Sequence, residues 1–304
     1  MQIMSLITAL PGAAAQGLIW GIMAIGVYIT FRILDIADLT VDGTLCTGGA
    51  VCIMMMLSGH NVWVSMLVAT GAGLLAGLAT GIFHTFMGIP AILAGILTQL
   101  SLYSINLKIM GKANQAINVD KFNLLVSLRR VKGVALTQNT LFIVAIMIIL
   151  LIAVLYWFFG TELGCSLRAT GCNPSMSRAQ GINTDRNKVL GLMLSNGLVA
   201  LSGALLTQYQ GFADINMGRG SIVIGLAAVI IGEAIFSRIF RNFALKLLSV
   251  VFGSILYYLV LQIVIWMGID TDLLKMLSAL VVAFFLAFPY WKGKYFTKAK
   301  QGGK

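Results

Sequence analysis

Apolar runs of about twenty residues recur from one end of the chain to the other, separated by short polar breaks. A helical run of that length matches the roughly 30 Å hydrocarbon core of a bilayer. The runs place spans near 13–31, 42–58, 62–83, 88–107, 139–159, 187–209, 220–237, 246–267 and 273–290. Inside lipid every backbone polar group has to be paired within its own segment. The expected fold class is therefore all-α, a polytopic transmembrane helical bundle of about nine spans. Composition leaves no room for a second, water-solvated domain: 59% of the 304 residues are apolar and 10% are charged, against about 25% charged in a soluble domain. Residues 1–292 read as one membrane domain and residues 293–304 as a basic tail.

The net charge of +11 would suggest nucleic acid in a soluble protein. Here its location argues otherwise. Lys292, Lys294, Lys298, Lys300 and Lys304 follow the last apolar run, the pattern of a cytoplasmic anchor beside anionic lipid. Nine spans put the termini on opposite faces of the cytoplasmic membrane. With the tail cytoplasmic, thirteen of the 21 basic residues fall inside and eight outside, six of those eight in one outer loop, 108–138. The first basic residue is Arg32, so the N-terminal apolar stretch lacks the positive region of a secretory signal and is expected to be mature protein. Cys46, Cys52, Cys165 and Cys172 form no CxxC pair and have no His at metal spacing, so neither a disulfide nor a metal framework is expected.

The second span is short and follows Arg32, Asp35, Asp38 and Asp42, with Gly43 just inside it. Such segments are typical of broken or re-entrant helices that line a pathway; a plain loop with its carboxylates in water is the other reading. Gly17 with Gly21, and Gly73 with Gly77 and Gly81, would let helices approach closely. Polar side chains inside a membrane are costly and become functional candidates: His84, Gln99, Asn106, Asn196, Gln208 and Glu233, with Asp214 and Asn216 near an outer end. Asn196 and Gln208 also suit simple interhelical bonding, His84 an interfacial role, and Glu233 pairing with Arg238 or Arg241. No GxxxxGK[ST], HExxH or GxSxG string occurs, and the glycines of 71–76 lie inside a span, where they serve helix packing. No enzyme activity and no bound cofactor are expected.

The long polar loop, 161–186, carries Asn173-Pro174, an N-cap followed by the residue best suited to the first helical position, and Gly181, able to close a helix. A two-turn helix over Pro174–Gln180 is expected, either docking another protein or resting on lipid headgroups.

The string Ala169-Thr170-Gly171-Cys172-Asn173-Pro174, continued by Ala179-Gln180-Gly181-Ile182, resembles the A-x-G-x-N-x-x-x-A-x-x-x-G-I signature of permease subunits in the ABC importers for branched-chain amino acids and ribose-type sugars, with the alanine displaced to Ala179. Asp38-Leu39-Thr40-Val41-Asp42-Gly43 is similar to that family's D-L-S-x-G element, Ile89 to Ala94 to its I-P-A-F-I-A span entry, and Leu201 to Leu205 to its L-A-G-A-L helix. The four motifs stand in the family's order and cover about residues 13–290. Stretches such as Gln208 to Asp214 and Gly225 to Glu233 are closest to a bacterial branch of amino-acid (tryptophan- or tyrosine-type) or uncharacterised-solute permeases, and the extra carboxylate of Asp42 departs from the sugar branch.

The resemblance implies two permease copies around the path, two ABC ATP-binding subunits that hydrolyse ATP, and an extracytoplasmic substrate-binding protein that delivers a small-molecule solute. Asn173, Pro174, Ser175, Met176, Ser177, Arg178, Ala179, Gln180 and Gly181 would form the coupling element. Asp38, Asp42, Gly43, Gln99 and Asn196 would line the path, and Gln208, Asp214 and Asn216 its outer mouth, where a carboxylate could meet an ammonium group. The competing reading is a gradient-driven secondary transporter that titrates Asp38, Asp42, His84 or Glu233.

Overall fold

The computed structural model describes residues 2–119, 122, 124–131, 139–236, 240, 242–267, 273, 276, 279–284 and 287. Among these, the helices are α1 (Gln2–Tyr28), α2 (Val41–Leu57), α3 (Val62–Thr85), α4 (Ala91–Met110), α5 (Thr140–Gly160), α6 (Glu162–Cys172), α7 (Pro174–Ala179), α8 (Thr184–Gln210), α9 (Ser221–Phe236) and α10 (Phe243–Trp266). Two short strands, β1 (Asn114–Ala116) and β2 (Phe212–Asp214), pair antiparallel.

Among the described residues, six helices are long and apolar enough to cross a membrane: α1 with the turn that follows it, α3, α4, α5, α8 and α10. The two remaining apolar helices are shorter, 17 residues in α2 and 16 in α9. The all-helical membrane fold is as expected. Six full-length and two short helices account for eight of the expected spans, whereas half of 273–290 and all of 293–304 lie outside the described residues.

The bundle is built around α8, which at 27 residues is about 40 Å long. Gly73, Gly77 and Gly81 on α3 face it, and a Cβ at Gly77 would strike the Leu192 carbonyl. Gly17 and Gly21 also bring α1 close to α10, at Ile255 and Val251. Hydroxyls bond across the close contacts: Ser195 Oγ donates to the Gly26 carbonyl and Ser202 Oγ to that of Ile19, both at 2.8 Å. Small residues and buried hydroxyls hold helices together where lipid provides no hydrophobic drive. The outward faces of α3, α4 and α5 carry exposed Leu67, Leu75, Leu100, Ile149 and Leu150, as suits a lipid boundary.

The ends of α8 define the two ends of the bundle. One bears α6 and α7. The other bears the β ribbon, where Asn114 pairs with Asp214 and Ala116 with Phe212, so that the loop after α4 is fastened to the turn after α8. Sequence reasoning assigned that loop no strand and the residues before Asn173 no helix. Yet Thr161 caps α6 through its Oγ1, which accepts from Gly164 N at 3.3 Å.

Candidate functional site

The short helix α2 is reached through a reversal of the chain. After Tyr28 the helix widens to a π-turn over Ile29–Ile33, with Leu34 N bonded to Ile29 O and Ile36 N to Thr30 O. Asp35 then takes a positive φ of 55°, a left-handed conformation uncommon outside glycine. Around it, between the π-turn and α2, the chain is non-helical, with Leu34, Ile36, Asp38 and Thr40 buried and Asp35 and Ala37 exposed.

Non-helical backbone at such depth is tolerated only where its polar groups are satisfied, and here a buried side-chain network does so. Asp38, 2% exposed, accepts from Thr40 N at 2.9 Å and from Asn196 Nδ2 at 2.7 Å. Asn196 Oδ1 in turn accepts from Thr44 Oγ1 at 2.7 Å. Thr40 meets Thr80 at 2.7 Å, and Thr80 meets Thr98 at 2.9 Å. Asp38 and Asn196 are thus brought together in a buried lock between α8 and the segment that leads into α2.

Asp42 lies in the first turn of α2 and reaches the start of α9. Its Oδ2 accepts from Gly220 N at 2.9 Å, and its Oδ1 from Ser221 Oγ at 2.9 Å and Ile222 N at 3.0 Å. The free N–H groups of a helix start carry a partial positive charge that favours an anion. Asp42 therefore serves two helix N-termini at once, its own and that of α9, and both of its oxygens are engaged.

Beside it lies a cavity of about 320 Å³ lined by Asp42, Gly43, Gln99, Leu100, Tyr103, Ile215 and Arg219. The cavity brings together Asp42, Gly43 and Gln99. Gly43 is required for the packing that shapes it, since a Cβ there would press on Gln99 Cα at 3.2 Å and Leu102 Cδ1 at 3.1 Å. Sequence reasoning missed Tyr103 and Arg219. The available signal was Arg219 as an isolated cation between two apolar helices, with no ion pair among the described residues.

The other candidates lie elsewhere. Gln208 is buried, accepts from Leu125 N at 3.2 Å and donates to Cys52 Sγ at 3.6 Å, bonding α8 to a neighbouring helix and loop. Asp214 accepts from Asn216 N at 2.7 Å and Asn114 Nδ2 at 3.4 Å, within the ribbon. Asn216 is exposed beside it. His84 Nδ1 bonds the Ile89 carbonyl at 2.9 Å. Glu233 is paired with Arg32 at 2.9 Å, a partner 201 residues away; Arg238 and Arg241 are outside the described residues.

The polar loop holds the expected short helix. Asn173 Oδ1 accepts from Met176 N at 3.0 Å, Pro174 occupies the first turn, and Gly181 has φ +82°. The helix closes one residue early, with Gln180 as its C-cap. Pro174, Ser175, Met176 and Ala179 are exposed, Met176 to 60%, whereas Ser177 is buried and donates to the Asn173 carbonyl at 3.0 Å. Arg178 is turned back onto Thr184 and Asp185. The presented face is therefore Pro174, Ser175, Met176 and Ala179. Just before it, Gly171 abuts Ile33, where a Cβ would collide with the Ile33 carbonyl. Asn187 Nδ2 ties α8 to Thr170 at 2.8 Å. The loop is thus in backbone contact with the π-turn that leads to Asp38 and Asp42.

Among the described residues no group of three His, Cys, Asp or Glu side chains could hold a metal ion, and all four cysteines are free. The profile of a family described as the permease component of branched-chain amino acid transport systems matches residues 10–286. A tyrosine transport system permease protein of Clostridioides difficile is 39% identical over 272 residues, 90% of this chain and 88% of that protein. An uncharacterized protein of Rickettsia prowazekii is 38% identical over 281 residues, 91% of this chain and 95% of its own. A fructose import permease protein of Bifidobacterium longum is 25% identical over 246 residues, 81% and 67% of the two chains. No solved structure matches. A bundle with two short apolar helices, a capped helix in its polar loop and this extent of similarity make the chain a member of the branched-chain amino acid transport permease family of ABC importers.

Proposed function

We propose that this permease forms a homodimer that carries an amino acid or a related carboxylate solute across the bacterial cytoplasmic membrane. An ATP-binding subunit docks on α7, and a substrate-binding protein delivers solute to the ribbon end. The single observation carrying this reading is the joining of an exposed, locally capped helix, through Gly171, to the backbone that turns into the cavity. α7 and the tail would then face the cytoplasm.

Three features support the finer points. The cavity holds one cation, Arg219, an amide, Gln99, and an aromatic ring, Tyr103, a set suited to a carboxylate and an apolar body. The similar Clostridioides difficile protein is named for tyrosine transport. Leu100 and Tyr103, at the edge of the cavity, are 64% and 43% exposed, so a second copy packed on α4 would close it.

The test is isolation of the complex from its native membrane in mild detergent, with mass spectrometry of its subunits, followed by tyrosine uptake with ATP maintained. An ATP-binding subunit at a one-to-one ratio and uptake that survives an uncoupler are expected. Uptake that collapses with the proton gradient, with no such subunit present, would instead favour the gradient-driven carrier.

A further inference from the structure

We infer that α9 is a strut carrying the stroke of the coupling loop to the cavity, with Arg32, Glu233 and Asp42 as the positioning residues that hold its two ends. The inference rests on the ABC-permease reading above and specifies which element moves.

Each joint is visible. At the α7 end, Gly171 abuts Ile33 with no space for a side chain, and Leu34 packs against Gly191 beside Leu167, so a displacement of α6 meets the π-turn directly. The residue before Ile33 is Arg32, whose Nε lies 2.9 Å from Glu233 Oε1 near the C-terminus of α9. At the other end of α9, Gly220 N, Ser221 Oγ and Ile222 N all donate to Asp42, which lines the cavity. Eleven residues separate positions 222 and 233, about 16 Å along a helix. One short stretch of chain, 32–42, therefore grips α9 at both ends.

Two attachments transmit more than one. Held only at Asp42, α9 could pivot about its first turn; the Arg32 contact fixes its far end to the element the loop pushes.

The flanks of α9 suit axial movement. Gly225 lies against Val27 and Met23 on α1, Gly232 against the Ser249 carbonyl on α10, and Gly253 of α10 against the Ala228 carbonyl. These contacts are backbone to backbone or backbone to side chain, and small sliding shifts of packed helices are one of the ways such bundles change state. The ion pair is partly exposed, 57% at Arg32 and 29% at Glu233, and pairs of that kind add little to stability. Its removal should therefore change coupling without unfolding the protein.

The experiment uses the purified complex with its ATP-binding subunit, in a Cys165→Ser/Cys172→Ser background. Spin labels are placed at the exposed positions Ile235 on α9 and Leu245 on α10, through Ile235→Cys and Leu245→Cys. Their separation is measured by pulsed electron resonance, nucleotide-free and vanadate-trapped. The strut predicts a change of about 2 Å or more between the states, lost in Glu233→Ala while ATP hydrolysis continues, and regained in the swapped Arg32→Glu/Glu233→Arg chain. An unchanged separation in the parent complex, or the same change in Glu233→Ala, would overturn it. Where Glu233→Ala does not assemble, Glu233→Gln replaces it, and failure of both to assemble would overturn the proposal by making the pair structural. Absence of any ATP-hydrolysing subunit would defeat the permease reading and the strut with it, whereas hydrolysis with an unmoved α9 defeats the strut alone.

Discussion

Among the helix starts capped by a side-chain oxygen, those of α7 and α9 differ in where the oxygen comes from. α7 is capped by Asn173, the residue immediately before it, through Met176 N. α9 is capped by Asp42, 178 residues away on α2. A local cap stabilises its helix wherever the loop moves, so α7 can behave as a self-contained knob. A remote cap makes the first turn of α9 conditional on the position of α2, so the same chemistry becomes a joint between two elements.

Removing the remote cap should have the larger effect. Asp42→Ala strands the Gly220 and Ile222 amides and the Ser221 hydroxyl, each hydrogen bond to a charged acceptor contributing about 1.5–3 kcal/mol. Uptake in whole cells should fall at least tenfold, with the melting temperature of the purified complex lowered. Asp42→Asn keeps one acceptor oxygen but sets its amide against a donor, so it should fall between Asp42→Ala and the parent in both assays. If Asp42→Asn instead abolished uptake while matching the parent in stability, the charge would matter to the solute and not to the joint.

Removing the local cap should do less. Asn173→Ala is expected to cost about 1 kcal/mol of helix stability, weakening association with the ATP-binding subunit by roughly fivefold and leaving the melting temperature of the permease alone nearly unchanged. A large drop in that temperature would mean that the α7 region is part of the core, and the contrast between the two caps would fail.

The same contrast explains which features were legible in the sequence. Asn173, Pro174 and Gly181 announce α7 because every residue of that motif is local. Gly17, Gly21, Gly73, Gly77 and Gly81 announce close packing because their spacing follows the helix period. The break before α2 is signalled by carboxylates entering an apolar run. What Asp42 does at that break is not, because Gly220 and Ile222 offer only backbone N–H groups, which any sequence has. Glu233 had two arginines within eight residues in sequence, yet the fold pairs it with Arg32. Ser177 sits in the middle of α7 but is turned inward by its bond to Asn173, a matter of helical phase that two turns of sequence cannot fix. The ribbon joining Asn114 to Asp214 involves three residues per strand, too few to leave an alternating pattern.

The most direct test of the central claim, that α7 is where the ATP-binding subunit docks, is cross-linking in the native complex. A short photoactivatable group attached through Met176→Cys should join the permease to that subunit, whereas the same group attached through Asn114→Cys on the ribbon should not. A cross-link to the ATP-binding subunit from Asn114→Cys, and none from Met176→Cys, would place the motor at the opposite end of the bundle and contradict the account.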